Sequence, residues 1–477
     1  MPPRSKRTTA ALALVMAAAL AGAACSGDGD RAATPSKRPT TTAPSKGPTT
    51  TGPTTTGAGP ATSTPRPALT APAGGPGLSG MRGTVTGAKV PDDFAARLRA
   101  ADPRITDPTH AAEAYDAVVV AALAATDAGG DGTKLAGKVV GVTGGGQKCT
   151  THAECAALLA KGVDIDYDGT SGPIDLAPDG QPTRGTYGIV EFGTTGCQAQ
   201  KSCLDPAKAT HASTSLPPEA VGAATAVTGG RPGDGQLVIG ALLPTTGSLA
   251  GLGRAQAAGI GLAVADVNAA GGVRGTPVRS VTADSGDTPA TATAGADSLL
   301  AQSADVVIGA PTTALTEAVI DRVTGAGVTM ISPSATGRSV WARPDKGLFF
   351  AVAPSDVMQA QVLADTILGE GHSNVYLIAR NDTFGSALAE DTQAALETKG
   401  ATVVGSQLYD PTTTDFSTVV RTAKAGSGDA IVVIGYAETS RLLAQMAAAG
   451  IGPDKVSVYG TDANMTDDLA ARFDNGS

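Results

Sequence analysis

From residue 236 onward, short runs rich in Val, Ile and Ala recur, each followed by a stretch of helical periodicity. This alternation limits the fold of the 477-residue chain more than any other feature. The first run, LVIGAL (237–242), precedes a segment in which Ile260, Val264 and Val267 share one helical face, closed by Gly271 and Gly272. Strand-like TPVRSVTA (276–283), helical TATAGADSLLAQ and the apolar run DVVIGA (305–310) come next. Leu315, Val319, Ile320 and Val323 form the following helix face, and VTMIS (328–332) the following strand. Beyond GLFFAVAPS (347–355) the pattern resumes with strands NVYLIA (374–379), ATVVGS (401–406), DAIVVIG (429–435) and VSVYG (456–460). Helices through about 384–398, 416–424 and 438–449 separate them. Short apolar strands alternating with helices predict parallel sheets covered on both faces. The expected architecture is α/β: two Rossmann-like lobes, 236–355 and 356–477, joined by a hinge.

The amino end reads differently. Residues 1–25 carry Arg4, Lys6 and Arg7, then the short apolar stretch Ala10 to Leu20, then Gly22, Ala23, Ala24 and Cys25. That is secretory-signal architecture, too short and Ala-rich for a membrane span. A cysteine after small residues resembles a bacterial lipoprotein signal, in which the Cys25 thiol is lipidated after cleavage. Gly22 stands where a Leu is usual, and ordinary cleavage is the alternative. Residues 26–79 are Thr, Pro, Ser, Gly and Lys without apolar periodicity, a composition that cannot offset its ordering entropy. They are expected to form a disordered tether on the outer face of the cell membrane. The formal charge of −9 argues against a nucleic-acid partner.

Four further cysteines, Cys149, Cys155, Cys197 and Cys203, would meet an oxidising compartment. Four cysteines allow three connectivities. Two equal spacings favour the local pairs Cys149–Cys155 and Cys197–Cys203, and the alternative is a zinc site that adds His152 but lacks close C-x2-C knuckles.

In open parallel sheets ligands bind beyond the carboxyl ends of the strands. Thr312 and Thr313 follow DVVIGA, and Ser334, Ala335 and Thr336 follow VTMIS. Phe384 follows NVYLIA, Tyr436 follows DAIVVIG and Asp462 follows VSVYG. The first lobe thus offers hydroxyls and helix-start N–H groups, which suit a carboxylate. The second offers aromatic walls and a carboxylate, which suit an ammonium. Together they would hold a zwitterion, although each Ser or Thr could equally be a helix cap.

The segments IGALLPTTGSLAGLG, GGVRGTPV, VIGAPTT, ISPSAT, NDTFGSALA and YDPTTTDFSTVV resemble type I periplasmic-binding proteins. The nearest group is the branched-chain amino-acid substrate-binding proteins of ABC importers. The resemblance spans about 236–477 and implies that the loops at Thr313 and Thr336 hold a ligand carboxylate. It further implies that the Ser334 carbonyl and Asp462 receive the ammonium, with Phe384 and Tyr436 closing the pocket. Leu252 stands where some members carry Tyr, which leaves side-chain specificity open.

The family would continue beyond LAARFDNGS, and its carboxyl-terminal third resembles residues 80–203 instead, including the Cys149/Cys155 pair. The chain therefore resembles a circular permutation, with a loop-like connector at 204–235 joining the old termini; two truncated copies completing each other between chains is the alternative. The helix around Tyr115, Val118, Val119, Ala122 and Leu123 is apolar nearly all round and needs burial by other elements. Residues 80–205 are expected to hold few strands of their own.

What the resemblance implies is an extracytoplasmic, lipid-anchored capture protein for a small amino acid or related amide, passing it to an ABC permease and its ATPase. A sensor module or a degenerate scaffold with the same fold is the alternative. No cofactor and no catalytic group is expected. Asp164, Asp166, Asp168 and Asp175 imitate a calcium loop, but the twelfth position is not Glu and no exiting helix follows. His110, His152, His211 and His372 fall outside the strand-end positions, with no Ser or Cys arranged as a nucleophile.

Overall fold

A computed structural model describes residues 77–87, 89–193, 203–205 and 207–474, all within the unit 65–477. The signal segment, Cys25, the tether up to residue 76 and Cys197 lie outside the described residues. No described helix is long and apolar enough to cross a membrane.

One sheet holds five strands in the order Phe349–Ala351, Thr329–Ser332, Val306–Gly309, Val238–Leu243, Arg279–Asp284, every pair parallel. Val238–Leu243 is buried at every position, as a strand covered on both faces must be. Strand Arg279–Asp284 starts three residues later than TPVRSVTA predicts. Val273 and Thr276 bond each other's backbones in a turn, at 2.9 and 3.0 Å, and Pro277 has no N–H to give a ladder.

The other sheet holds seven strands: Thr402–Tyr409, Asn374–Arg380, Ala430–Ile434, Ser457–Gly460, Arg82–Thr86, Arg184–Glu191 and Thr210–Ser215. The first five are parallel, and the last two add antiparallel pairs. The second lobe is thus a mixed sheet rather than a purely parallel one. Its three outer strands come from upstream, next to strands that begin at residue 374. A small third sheet, Gln147–Cys149, Ile165–Gly169 and Gly172–Pro173, belongs wholly to the upstream segment. The segment is therefore richer in strands than its composition suggests, because short runs such as RGTVT bury only alternate or partial faces and give no long apolar signal.

The upstream segment serves both cores. Met81, Val190 and Phe192 pack with Ile378, Val433 and Leu443 in the second lobe. Helix Ala111–Ala128, buried continuously from Ala111 to Ala125, joins Ile239, Val306 and Ile331 in the first. It lies against helix Ala250–Ala269 so closely that a Cβ on Gly259 would sit 2.1 Å from the Ala111 carbonyl oxygen. Only a glycine permits that approach.

The connector is not a free coil. Thr210–Ser215 is an edge strand and Pro218–Ala220 a single 3-10 turn. Farther on, Arg231 bonds the Ala304 carbonyl at 2.7 Å and pairs with Asp305, while Asp131 accepts the Asp234 N–H at 2.8 Å. THASTS has no apolar alternation, so periodicity cannot flag it; its threonines and serines suit a half-exposed edge.

Cys149 and Cys155 are disulfide-bonded, with Cα atoms 5.4 Å apart, so neither thiol is free for the zinc alternative. Cys203 is disulfide-bonded as well, and its expected partner Cys197 lies outside the described residues. The imitation calcium loop is occupied by a side chain of the protein: Lys148 Nζ lies 2.9 Å from both Asp166 and Asp168.

Candidate functional site

A cavity of about 440 Å³ opens between the two lobes at the carboxyl ends of their strands. Leu252, Thr313, Ser334 and Thr336 line it from the first lobe, and Phe384, Tyr436 and Asp462 from the second. Seven of the nine residues singled out in the sequence are thereby brought together. Thr312 and Ala335 are not among the lining residues. Thr312 caps helix Thr313–Gly325 by accepting the Leu315 N–H at 3.3 Å, and the Ala335 N–H is tied to Ser332 Oγ at 2.9 Å.

The first-lobe wall is internally bonded. Thr313 Oγ1 accepts the Gly337 N–H at 3.1 Å. Ser334 Oγ donates to the Pro311 carbonyl at 2.8 Å and accepts from Gln256 Nε2 at 2.7 Å. This leaves the hydroxyls oriented before any ligand arrives, and helix Thr313–Gly325 begins at the cavity wall with Thr313.

The second-lobe wall is an aromatic stack plus a carboxylate. Phe384 and Tyr436 stack with centroids 5.3 Å apart at 19°. Arg380 sits 4.4 Å from the Tyr436 centroid and is held by Glu438 at 2.7 Å and Asp382 at 2.5 Å. Asp382 in turn caps helix Thr383–Thr398, which carries Phe384. One ion-pair cluster thus fixes both rings.

Asp462 follows strand Ser457–Gly460. Its Oδ2 accepts from Thr86 Oγ1 at 3.0 Å, a contact between distant parts of the sequence. Its Oδ1 is buried and has no hydrogen-bond partner among the described residues. A buried carboxylate oxygen without a donor is costly, and the cost falls when a cation or donor enters.

The stretch 104–110 adds Arg104, Ile105 and Thr109 to the lining, together with His110, which sequence reasoning set aside as lying outside the strand ends. No strand-end position signals it; its place follows from the packing of helix Ala111–Ala128. Burial lowers the proton affinity of His110, against the opposing pull of Asp462 and Asp107. Burial likewise pushes Glu113 up to about 8 and Asp356 well above the carboxylate range, with the Asp462 charge adding to the latter. Arg104, also at the cavity, is already engaged by Asp102 at 2.6 Å. Among the described residues no cluster of three or more His, Cys, Asp or Glu side chains could hold a metal ion.

A family model described as "Periplasmic binding protein" matches residues 236–475. The "Leu/Ile/Val-binding protein homolog 3" of Brucella melitensis is 31% identical over 45% of this chain and 59% of its own length. An "Amino acid binding protein" of Pseudomonas aeruginosa is 32% identical, over 49% of this chain and 62% of its own. The solved branched-chain amino acid transporter substrate binding protein LivJ of Streptococcus pneumoniae, in complex with isoleucine, shares 28% identity. It gives a TM-score of 0.43, over 48% of this chain and 64% of that one. The chain thus spans less than two thirds of the length of these relatives.

Proposed function

This chain belongs to the periplasmic binding protein family, and on that premise we propose that it is an extracytoplasmic solute-binding protein that captures a small amino acid, branched-chain or a related amide, for an ABC importer. The observation that carries the reading is the pairing of unlike poles in one cavity. Thr313 and Thr336 line one side with hydroxyls, and Asp462 presents on the other a buried oxygen lacking a donor among the described residues. A ligand α-carboxylate meets the hydroxyls and the helix start, its ammonium meets Asp462, and Phe384 and Tyr436 cover the side chain. Leu252, in place of a hydroxyl-bearing ring, keeps that part of the wall apolar. Ligand contacts to both lobes stabilise the closed arrangement, and no bond is broken.

The partners in this reading are an ABC permease and its ATPase. Cys25 carries the lipid anchor, and of the expected tether 26–79 the part before Leu78, which is buried in the second-lobe core, spans from membrane to domain. Residues 80–203 stand for the part of the relatives that the match at 236–475 leaves out. That reading, a circular permutation within one chain, draws support from strand Arg82–Thr86 lying beside Ser457–Gly460 in the same sheet.

A thermal-shift screen of the purified full-length chain against the twenty L-amino acids, their amides and urea tests the function. A true ligand at 100-fold above its Kd adds about 2.7 kcal/mol of stability. No shift from any of them at millimolar concentration would end the reading.

A further inference from the structure

His110 has no part in the ligand contacts described above, yet its position beside Asp462 is built with unusual care. It takes φ 58° and ψ 13° just before helix Ala111–Ala128, a left-handed conformation uncommon for a non-glycine residue and shared by five others among the described residues. The glycine contact at Ala111 pins the helix start that carries it. The ring is buried, with Nδ1 3.9 Å from Glu113 Oε2 and Nε2 4.0 Å from Asp462 Oδ2. Both distances are too long for hydrogen bonds. Nδ1 has no partner among the described residues.

Three acidic groups face this imidazole: Asp107 in the preceding turn, Glu113 on its own helix and Asp462 from the second lobe. Desolvation outweighs them and keeps the ring neutral, so one nitrogen donates and the other accepts. In the tautomer that an ammonium between the two groups selects, the proton is on Nδ1 and the Nε2 lone pair faces Asp462 Oδ2. Two acceptors then confront each other across 4.0 Å with no donor between them. An ammonium nitrogen about 2.8 Å from each would subtend roughly 90°, near enough to tetrahedral for both N–H bonds to stay close to linear. The clamp uses Asp462 Oδ2 rather than the unpartnered Oδ1; Oδ2 already accepts from Thr86, but a carboxylate oxygen can accept twice.

We propose that His110 is a second acceptor for the ligand's ammonium, forming with Asp462 a two-pronged amine clamp that selects ligands with a free α-amino group. The proposal rests on the amino-acid reading above. It makes the clamp pH-sensitive in one direction. Protonating His110 removes the acceptor and sets a positive charge beside the ammonium, so affinity falls as pH drops through the imidazole's titration.

The test is calorimetric titration of the full-length chain with L-leucine, or, if leucine gives no heat, with the L-amino acid that gives the largest thermal shift. His110→Phe, which keeps a ring but no acceptor, is expected to bind about 10- to 100-fold more weakly, the usual range for a hydrogen bond to a charged group. His110→Gln places an oxygen near the Nε2 position and is expected to retain most of the affinity while losing the parent's decline as pH falls below the ordinary imidazole range, since burial lowers the proton affinity of His110. Melting without ligand checks that each variant folds. If His110→Phe binds like the parent while Asp462→Asn does not, the amino-acid reading stands and the clamp is overturned. If Asp462→Asn also binds normally, the ammonium reading itself fails. Should His110→Phe not fold, a decline with acid in His110→Gln identical to the parent's overturns the proposal alone.

Discussion

The two walls of the cavity differ in how their polar atoms are satisfied. On the first lobe Thr313 and Ser334 already bond Gly337, Pro311 and Gln256, so the hydroxyls are oriented whether or not a ligand is present. On the second, Asp462 keeps Oδ1 without a donor among the described residues, and His110, at the start of a helix packed in the first-lobe core, brings Nε2 to 4.0 Å from its Oδ2. The first wall is a finished surface that positions; the second is an unfinished one that a cation completes. A satisfied group contributes modestly when removed, whereas an unpaired buried charge dominates whatever reaches it. The comparison therefore says where affinity should concentrate.

The strongest way to break it is Asp462→Asn. Replacing the carboxylate by an amide removes the charge that meets the ammonium, and affinity for an amino acid should fall by about 2–5 kcal/mol. Calorimetry with the best ligand of the thermal screen measures this. An unchanged Kd would mean that the second wall is not the ammonium pole.

Glu113, under the same wall, separates fold energetics from binding. Burial raises its carboxyl to about 8 from an ordinary value of 4.5, so the folded state binds a proton that the unfolded state has released over that interval. Its contribution is fully present below the unfolded pKa and is lost as pH rises through the folded one. Glu113→Gln should remove that part of the pH dependence, a difference on the order of 2–4 kcal/mol between pH 4.5 and pH 8.5. Urea unfolding of parent and variant across this window checks it; parallel curves would place a charged Glu113 in the fold.

The placement of His110 and Glu113 depends on the fit of two helices, which Gly259 controls. A methyl group there would press on the Ala111 carbonyl, 2.1 Å away, so Gly259→Ala should destabilise the protein by about 1–3 kcal/mol. The midpoint of urea unfolding reads the effect. Stability equal to the parent's would show that helix Ala111–Ala128 can retreat, and with it the geometry beside Asp462.

Much of this arrangement is legible in the sequence, and the remainder has physical reasons for being hidden. Strands such as Val238–Leu243 and Ala430–Ile434 announce themselves because a strand covered on both faces must be apolar throughout. Asp462, Phe384 and Tyr436 follow from them, since strand ends mark the ligand cleft. Thr210–Ser215 stays hidden because an exposed edge needs no apolar residues. Arg82–Thr86 is recognisable as part of the second sheet only through its register with Tyr459 and Gly460. His110 gives no sign at all: its place depends on a left-handed backbone and on a contact with a helix that begins 140 residues later, at Ala250.

The adjacent pair Thr312 and Thr313 shows the limit at its finest, and the smallest prediction tests it. Both follow the same strand, and both hydroxyls are suited to a carboxylate. The structure divides their work: Thr312 Oγ1 holds the Leu315 N–H, while Thr313 lines the cavity. Loss of a threonine cap costs about 1 kcal/mol of stability. Thr312→Ala should therefore lower the urea midpoint by that amount and leave amino-acid affinity unchanged, because the first wall's ligand-facing hydroxyls remain bonded as before. A drop in affinity without a drop in stability would reverse the assignment. It would also mean that the first wall is less complete than the second, and that the contrast between them runs the other way.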